Sequence, residues 1–253
     1  MLGEKRIAVI IPAYNEERLI LKAVSSVPSY VDYILAVDDA SVDATFERLR
    51  EVDFRAGFEC IRHERNLGVG GAIVTGYRRC LQLNADIAVV MAGDAQMDPN
   101  DLEPLLTPLL LNKADYSKGD RLSFPGVFKT MPLFRFVGNH ILSLLTRYSS
   151  GYRQVRDSQC GYTALNKITL DKLDLDNLYL KYGFPNDILA KLHSVGARLA
   201  HVKVRPIYGE EVSGISWFTA LFRVPLVLLK SYFWRKRRNS QARRAIIKTV
   251  RRV

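Results

Sequence analysis

The 253-residue sequence predicts an α/β fold, a mostly parallel sheet flanked by helices, followed by an amphipathic helical extension at the C-terminus. Short apolar runs alternate with segments of helical spacing, the pattern of repeated strand–helix units. The first run, RIAVIIPA (Arg6–Ala13), is continuously apolar, as in a strand buried on both faces. Four runs end in polar clusters, PAYNEE, DDASVD, AGDAQMD and KGDR. In open α/β sheets ligands bind beyond the carboxyl ends of strands, so four such ends on one edge form a single crevice.

The elements follow in order. After the first strand, EERLILKAVSSV carries Leu19, Leu21, Ala23, Val24 and Val27 at helical spacing. VDYILAVDDAS predicts a strand, DATFERLREV a helix and GFECIRHE a short strand. GVGGAIVTGYRRCLQL predicts a helix and ADIAVVMAG a strand. PNDLEPLLTPLLL predicts a helix entered through Pro99, with Asp98 capping it, and ADYSKGD another strand. The second half is less regular: an amphipathic stretch MPLFRFVGNHILSLLTRYSSGY, a polar knot VRDSQCGYTAL and a strand-like RLAHVKVRPIYGEE.

With 48% hydrophobic residues the chain can bury a sizeable core. Three scattered cysteines, Cys60, Cys80 and Cys160, form neither a disulfide framework nor a zinc cluster, and no secretory signal opens the chain. A cytoplasmic protein with reduced thiols is expected. The net charge of +11 resides in the tail, where Arg235–Val253 holds nine Lys/Arg and no acid. The other 234 residues carry 28 basic and 26 acidic side chains, and the tail lacks interleaved aromatics, so nucleic acid is not expected as a partner. The apolar segment Ser216–Trp234 is interrupted by Arg223, Pro225 and Lys230, which excludes a membrane span. Its terminal aromatics and the basic tail fit a helix lying peripherally in a membrane interface, on the cytoplasmic face; a helix packed on the domain is the alternative.

GVGGA (Gly68–Ala72) looks like a dinucleotide-binding loop, but Ile73 stands where the last glycine is required, and the segment does not follow the first strand. No P-loop is present either. The glycines instead let a helix start close to a ligand or a neighbouring strand.

IIPAYNEE, VDDASVDAT, RNLGVGGAI, GDAQMDP and KGDR, in this order, resemble the family 2 glycosyltransferases, and among them the dolichyl-phosphate mannosyltransferase-like branch. The likeness covers about the first 120 residues and runs more loosely through DSQCGYTAL. It implies a GT-A fold over residues 1–214, with a nucleotide-sugar-binding half at 1–120 and an acceptor-side half at 121–214. Residues 215–253 form the membrane-interfacial helix and basic tail. It implies that Pro12, Ala13, Tyr14 and Glu16 hold the base and ribose of the donor, with Asp38 and Asp39 touching the same moiety and Gly68 beside them. For Asp39 a turn or helix-cap role is the alternative, with Ser41 or Asp43 as further candidates, and Asp43 is read as a cap.

The family's metal motif runs Asp-x-Asp-x-Gln. Here Asp94 and Gln96 match its second and third members, while Ala92 replaces the first. Mn²⁺ or Mg²⁺ is therefore expected on Asp94 and Gln96, completed by diphosphate oxygens and water, and bound weakly until the donor arrives. The donor implied is a nucleotide sugar, GDP-mannose first and UDP-glucose second, and the acceptor a polyprenyl or dolichyl phosphate, whose oxygen attacks the anomeric carbon with inversion as the nucleoside diphosphate leaves. Such an acceptor is already ionised and needs cations more than a base, so Arg121, Arg135 and Arg205 are the candidates for its phosphate. Asp157 and Gln159 join Asp94 and Arg121 as candidate catalytic residues, Asp157 either as a base toward a hydroxyl acceptor or as the residue ordering the turn at Gly161. YGEE (Tyr208–Glu211), with Gly209 and Gly214 as hinges, is a candidate flap. The competing readings are a soluble transferase acting on a sugar hydroxyl and, because of Ala92, an inactive membrane adaptor.

Overall fold

The computed structural model describes residues 4–53, 55–207 and 224–250, with side chains as far as Arg237. In chain order the described elements begin β1 (Ile7–Ala13), α1 (Ile20–Ser26), β2 (Tyr33–Asp38), α2 (Thr45–Arg50), β3 (Phe58–Arg62), α3 (Val69–Gln82) and β4 (Ile87–Val90). A 3-10 turn at Pro99–Asp101 then leads into α4 (Leu102–Leu110), β5 (Tyr116–Asp120), α5 (Val127–Thr130) and α6 (Leu133–Ser150). The last are β6 (Thr163–Asn166), α7 (Lys167–Leu170), α8 (Phe184–Ser194), β7 (Leu199–Lys203) and α9 (Val224–Val250). The expected flap and the first part of Ser216–Trp234 lie outside the described residues.

The strands form one sheet in the order β3-β2-β1-β4-β6-β5-β7. β3, β2, β1 and β4 run parallel, and β5 pairs parallel with β7. β6 alone is antiparallel, to both β4 and β5. The expected mostly parallel sheet is present. β6 itself lies in the stretch read from sequence as a polar knot, and its four residues are too few to show a period. The helix α8 also went unread, although Pro185 in its first turn and Ile188, Leu189 and Leu192 carry its signature. α1 begins at Ile20 rather than Glu16, because Asn15 adopts a left-handed φ of 58° and the Glu16 N–H is bonded to Thr45 Oγ1.

The unbroken apolar run of β1 reflects burial on both faces. Ile7, Val9 and Ile11 pack in one layer with Ile20 and Val24 of α1 and Leu102, Leu105 and Leu106 of α4. Ala8 and Ile10 face the other layer, with Ala72, Ile73 and Tyr77 of α3 and Ile188, Leu189 and Leu192 of α8. Because β1, β2, β4 and β5 point the same way, their four polar ends reach one edge. The antiparallel β6 starts at that edge, which brings the loop before it, with Asp157–Tyr162, to the same place.

Helix α3 lies against β1 through Gly76, where a Cβ would stand 2.3 Å from Ile10 Cγ2. Ile10 is fully buried and cannot yield. Gly76→Ala is therefore expected to lower stability by about 1–3 kcal/mol in urea denaturation. Combined with Ile10→Ala it should cost less than the two single losses added.

Candidate active site

The crevice opens where the strand order reverses, between β1 and β4, the position at which doubly wound sheets bind ligands. The Gly93 N–H donates to Pro12 O at 3.3 Å and the Asp39 N–H to Ala13 O at 2.9 Å, so Pro12 and Ala13 form its floor. The loops after β1 and β2 are laced together. Asn15 N–H donates to Ser41 Oγ (3.0 Å), Val42 N–H to Asn15 Oδ1 (3.0 Å), and Glu17 N–H to Asp43 Oδ2 (3.1 Å). Asp43 Oδ1 also accepts from Thr45 N–H at the head of α2, the capping role read for it in the sequence. Tyr14 stands half-exposed above this floor. Tyr182 lies near enough that burial, then the charges of Glu16 and Tyr14, push its hydroxyl upward.

Asp38 and Asp39 are both buried and engaged by the protein. Asp38 Oδ1 accepts from Ser41 N–H at 3.2 Å, and its Oδ2 lies 3.2 Å from Arg62 Nε. Asp39 Oδ1 bonds Leu67 N–H (2.8 Å) and His63 Nδ1 (2.7 Å), and its Oδ2 accepts from Gly68 N–H (2.7 Å). This carboxylate holds the free amides ahead of α3, where a negative group is favoured. Asp39 therefore shapes the crevice through the loop it ties down. At Gly68, with φ at 95°, a Cβ would meet Leu180 O at 2.6 Å, so the glycine admits the neighbouring chain segment 180–181.

Beyond β4 the chain turns at Ala95, φ 54°, and the Gln96 N–H donates to Asp94 Oδ1 at 3.0 Å. Asp98 accepts from Asn100 N–H at 2.9 Å, the expected cap before Pro99. Asp94, Gln96, Arg121, Tyr162 and Arg205 share the lining of one cavity of about 40 Å³, room for an ion and a water rather than a nucleotide. Burial, then the charges of Asp94 and Asp43, push the Glu16 carboxyl up to about 7. A divalent cation fits this corner. Among the described residues no group of three or more His, Cys, Asp or Glu side chains could hold one. Asp94 and Gln96 thus supply too few ligands alone, and donor phosphates would supply more.

The opposite wall is cationic. Arg121, at the end of β5, donates through Nε to Asp157 Oδ2 at 2.8 Å and through Nη2 to Asp157 Oδ1 at 3.1 Å. Asp157 is fully buried and also accepts from the N–H groups of Gln159 and Cys160, each at 3.1 Å. Burial opposes its charge, but Arg121, through its charge and hydrogen bonds, and the charge of Lys118 outweigh that and hold the carboxyl below its usual range. Of the two roles open to Asp157, the geometry supports the structural one: it fixes the guanidinium and the turn before β6. Gln159 turns away, donating to Asn186 Oδ1 of α8 at 3.0 Å. Arg205 lies in the cavity wall, its Nη1 3.8 Å from Asp98 Oδ2. Arg135 sits in the first turn of α6 and does not line this cavity.

Lys118, Cys160 and Tyr162 were not read from the sequence. Lys118, fully buried in β5, donates to the carbonyl of Cys160 and so supports the same turn, and burial lowers its pKa. A lysine between Ser117 and Gly119 in a short strand was its only signal. If Asp157 positions Arg121, Arg121→Ala and Asp157→Asn should each lower kcat/KM about a hundredfold, and the double variant little further. Loss of an acidic limb from the pH–rate profile of Asp157→Asn would instead mark Asp157 as a base.

The chain is 34% identical over 223 residues to a UDP-N-acetylglucosamine–dolichyl-phosphate N-acetylglucosaminyltransferase of Methanococcus voltae, covering 83% of this chain and 88% of that one. It is 31% identical over 206 residues to an undecaprenyl-phosphate mannosyltransferase of Micrococcus luteus, covering 79% and 82%. The fold superposes on glucosyl-3-phosphoglycerate synthase of Mycobacterium tuberculosis, solved with Mn²⁺, UDP and glucosyl-3-phosphoglycerate. There the TM-score is 0.68 at 20% identity over 90% of this chain and 80% of that one. Residues 8–173 match the glycosyl transferase family 2 description, and with its GT-A sheet and these relatives the chain belongs to glycosyltransferase family 2.

Proposed function

We propose that this glycosyltransferase moves a sugar from a nucleoside diphosphate to a polyprenyl phosphate, with inversion, at the cytoplasmic face of a membrane. One observation carries the choice of acceptor. Asp157, the candidate base for a hydroxyl, is buried and ion-paired, and what it presents to the cavity is the Arg121 guanidinium. A phosphate monoester acceptor is already anionic and calls for such a cation rather than for a base. Arg121 and Arg205 would hold the acceptor phosphate opposite the anomeric carbon. Asp94 and Gln96 would hold the divalent cation, which when bound neutralises the diphosphate and acts as a Lewis acid on the leaving group. The relatives from Methanococcus voltae and Micrococcus luteus, both named for polyprenyl-type phosphate acceptors, support the reading.

For the donor, UDP-N-acetylglucosamine takes first place, on the 34% likeness to the enzyme named for it. GDP-mannose, first by motif resemblance, becomes the second reading, supported by the mannosyltransferase relatives. The adaptor reading rested on Ala92, and Asp94 and Gln96 keep a cation corner without a first carboxylate there.

Calorimetry with Mn²⁺ should show weak binding to the free protein that tightens on the order of tenfold when UDP is present. Asp94→Asn should remove that coupling, and tight Mn²⁺ binding without nucleotide would contradict the assignment. Incubation with nucleotide sugars, Mn²⁺ and a short-chain polyprenyl phosphate should yield the polyprenyl-phosphate sugar and free nucleotide. Transfer to a sugar hydroxyl but never to the lipid phosphate would overturn the proposal.

A further inference from the structure

Helix α6 is built inside out. It buries the hydroxyl side chains Ser143, Thr146, Ser149 and Ser150 against the domain. Its large apolar residues, Leu133, Phe134, Val137, Ile141, Leu144 and Tyr148 among them, are exposed, Leu133 to 72% and Tyr148 to 70%. At 3.6 residues per turn these occupy an arc of about 120° on the side opposite the hydroxyls, along a stripe about 22 Å long. An ordinary surface helix shows the reverse arrangement. α9 packs on α6, with Arg235 donating to the carbonyls of Ser149 (3.0 Å) and Tyr148 (2.9 Å) at its C-terminal end. It adds the exposed Leu226, Leu229 and Phe233.

The segments that carry this face are basic throughout their sequence. Residues 121–156 contain six Lys/Arg and no acid, and 224–250 contain eight and no acid. The rest of the chain holds the remaining 23 basic residues against all 26 acidic ones. An apolar stripe on segments that carry Lys and Arg but no Asp or Glu complements an anionic lipid surface. A second copy of the chain would set the same cations against one another across a two-fold interface.

We infer that the outer face of α6, continued by α9, docks this protein on an anionic bilayer. The segment that carries α6 leaves the active site at Arg121 and returns to it at Asp157, so a lipid acceptor in that surface would meet the reaction corner at both ends of the segment. The inference extends the membrane setting proposed above from the basic tail to α6, and rests on that reading for its purpose alone.

The full chain, without nucleotide, is sedimented with phosphatidylcholine vesicles with and without phosphatidylglycerol. It should sediment with the anionic vesicles and be released by salt. The variants Phe134→Ser/Ile141→Ser and, separately, Leu144→Ser/Tyr148→Ser should weaken that binding on the order of tenfold. Both should keep wild-type UDP–Mn²⁺ binding and turnover of a short-chain, water-soluble acceptor. Because vesicle binding is read without donor or turnover, it stands or falls apart from the proposed reaction. Unchanged binding of both variants, which would assign attachment to α9 alone, overturns the inference. So does failure of the parent chain to bind anionic vesicles, or a dimer that these substitutions dissociate in sedimentation velocity.

Discussion

A fully buried carboxylate holds a guanidinium at the mouth of the crevice, and much of the site hangs on that pair. Burying a charge is costly unless it is paired and hydrogen-bonded, and Asp157 is both: Arg121 in bidentate contact, the Gln159 and Cys160 amides besides. Removing either partner would leave the other charge uncompensated. The pair joins the end of β5 to the loop that enters β6, and Lys118 braces that loop from beneath through the Cys160 carbonyl. One antiparallel strand thereby places a cation that a purely parallel sheet would have left elsewhere.

Across the cavity the balance is reversed. Burial, then the charges of Asp94 and Asp43, raise the Glu16 carboxyl to about 7. A positive wall and a negative wall about one small cavity would suit the two anionic reactants proposed above, an acceptor phosphate on Arg121 and a cation-bridged diphosphate on Asp94. On that proposal the site would work by placing charge before the reaction rather than by moving protons during it.

The same segment that carries the cationic wall carries the apolar face of α6. Between Asp120 and Asp157 the chain holds no acid, and most of its exposed large residues are apolar. Among the described residues no helix is long and apolar enough to cross a membrane. This exposed apolar face is the one proposed above to lie on lipid.

Much of the fold was legible because burial on both faces writes itself as continuous apolar runs, so β1, β2 and β4 and their polar ends could be read in one dimension. The residue types of the donor corner, Asp94, Gln96 and Glu16, were legible too, since each follows directly on a strand. β6 was not, being four residues long and defined by its partners β4 and β5 rather than by any period of its own. Nor were the roles of Asp39 and Gly68, which depend on Leu67 and on the 180–181 segment, contacts distant in sequence. Sequence alone thus determined which residues could bind charge and which strand ends would carry them. Only the tertiary structure decided that Asp157 is buried in an ion pair with Arg121, that Arg205 but not Arg135 lines the cavity, and that α6 turns its apolar side outward. Each of these depends on which long-range neighbour satisfies a buried charge or a hydroxyl, and local spacing carries no record of that choice.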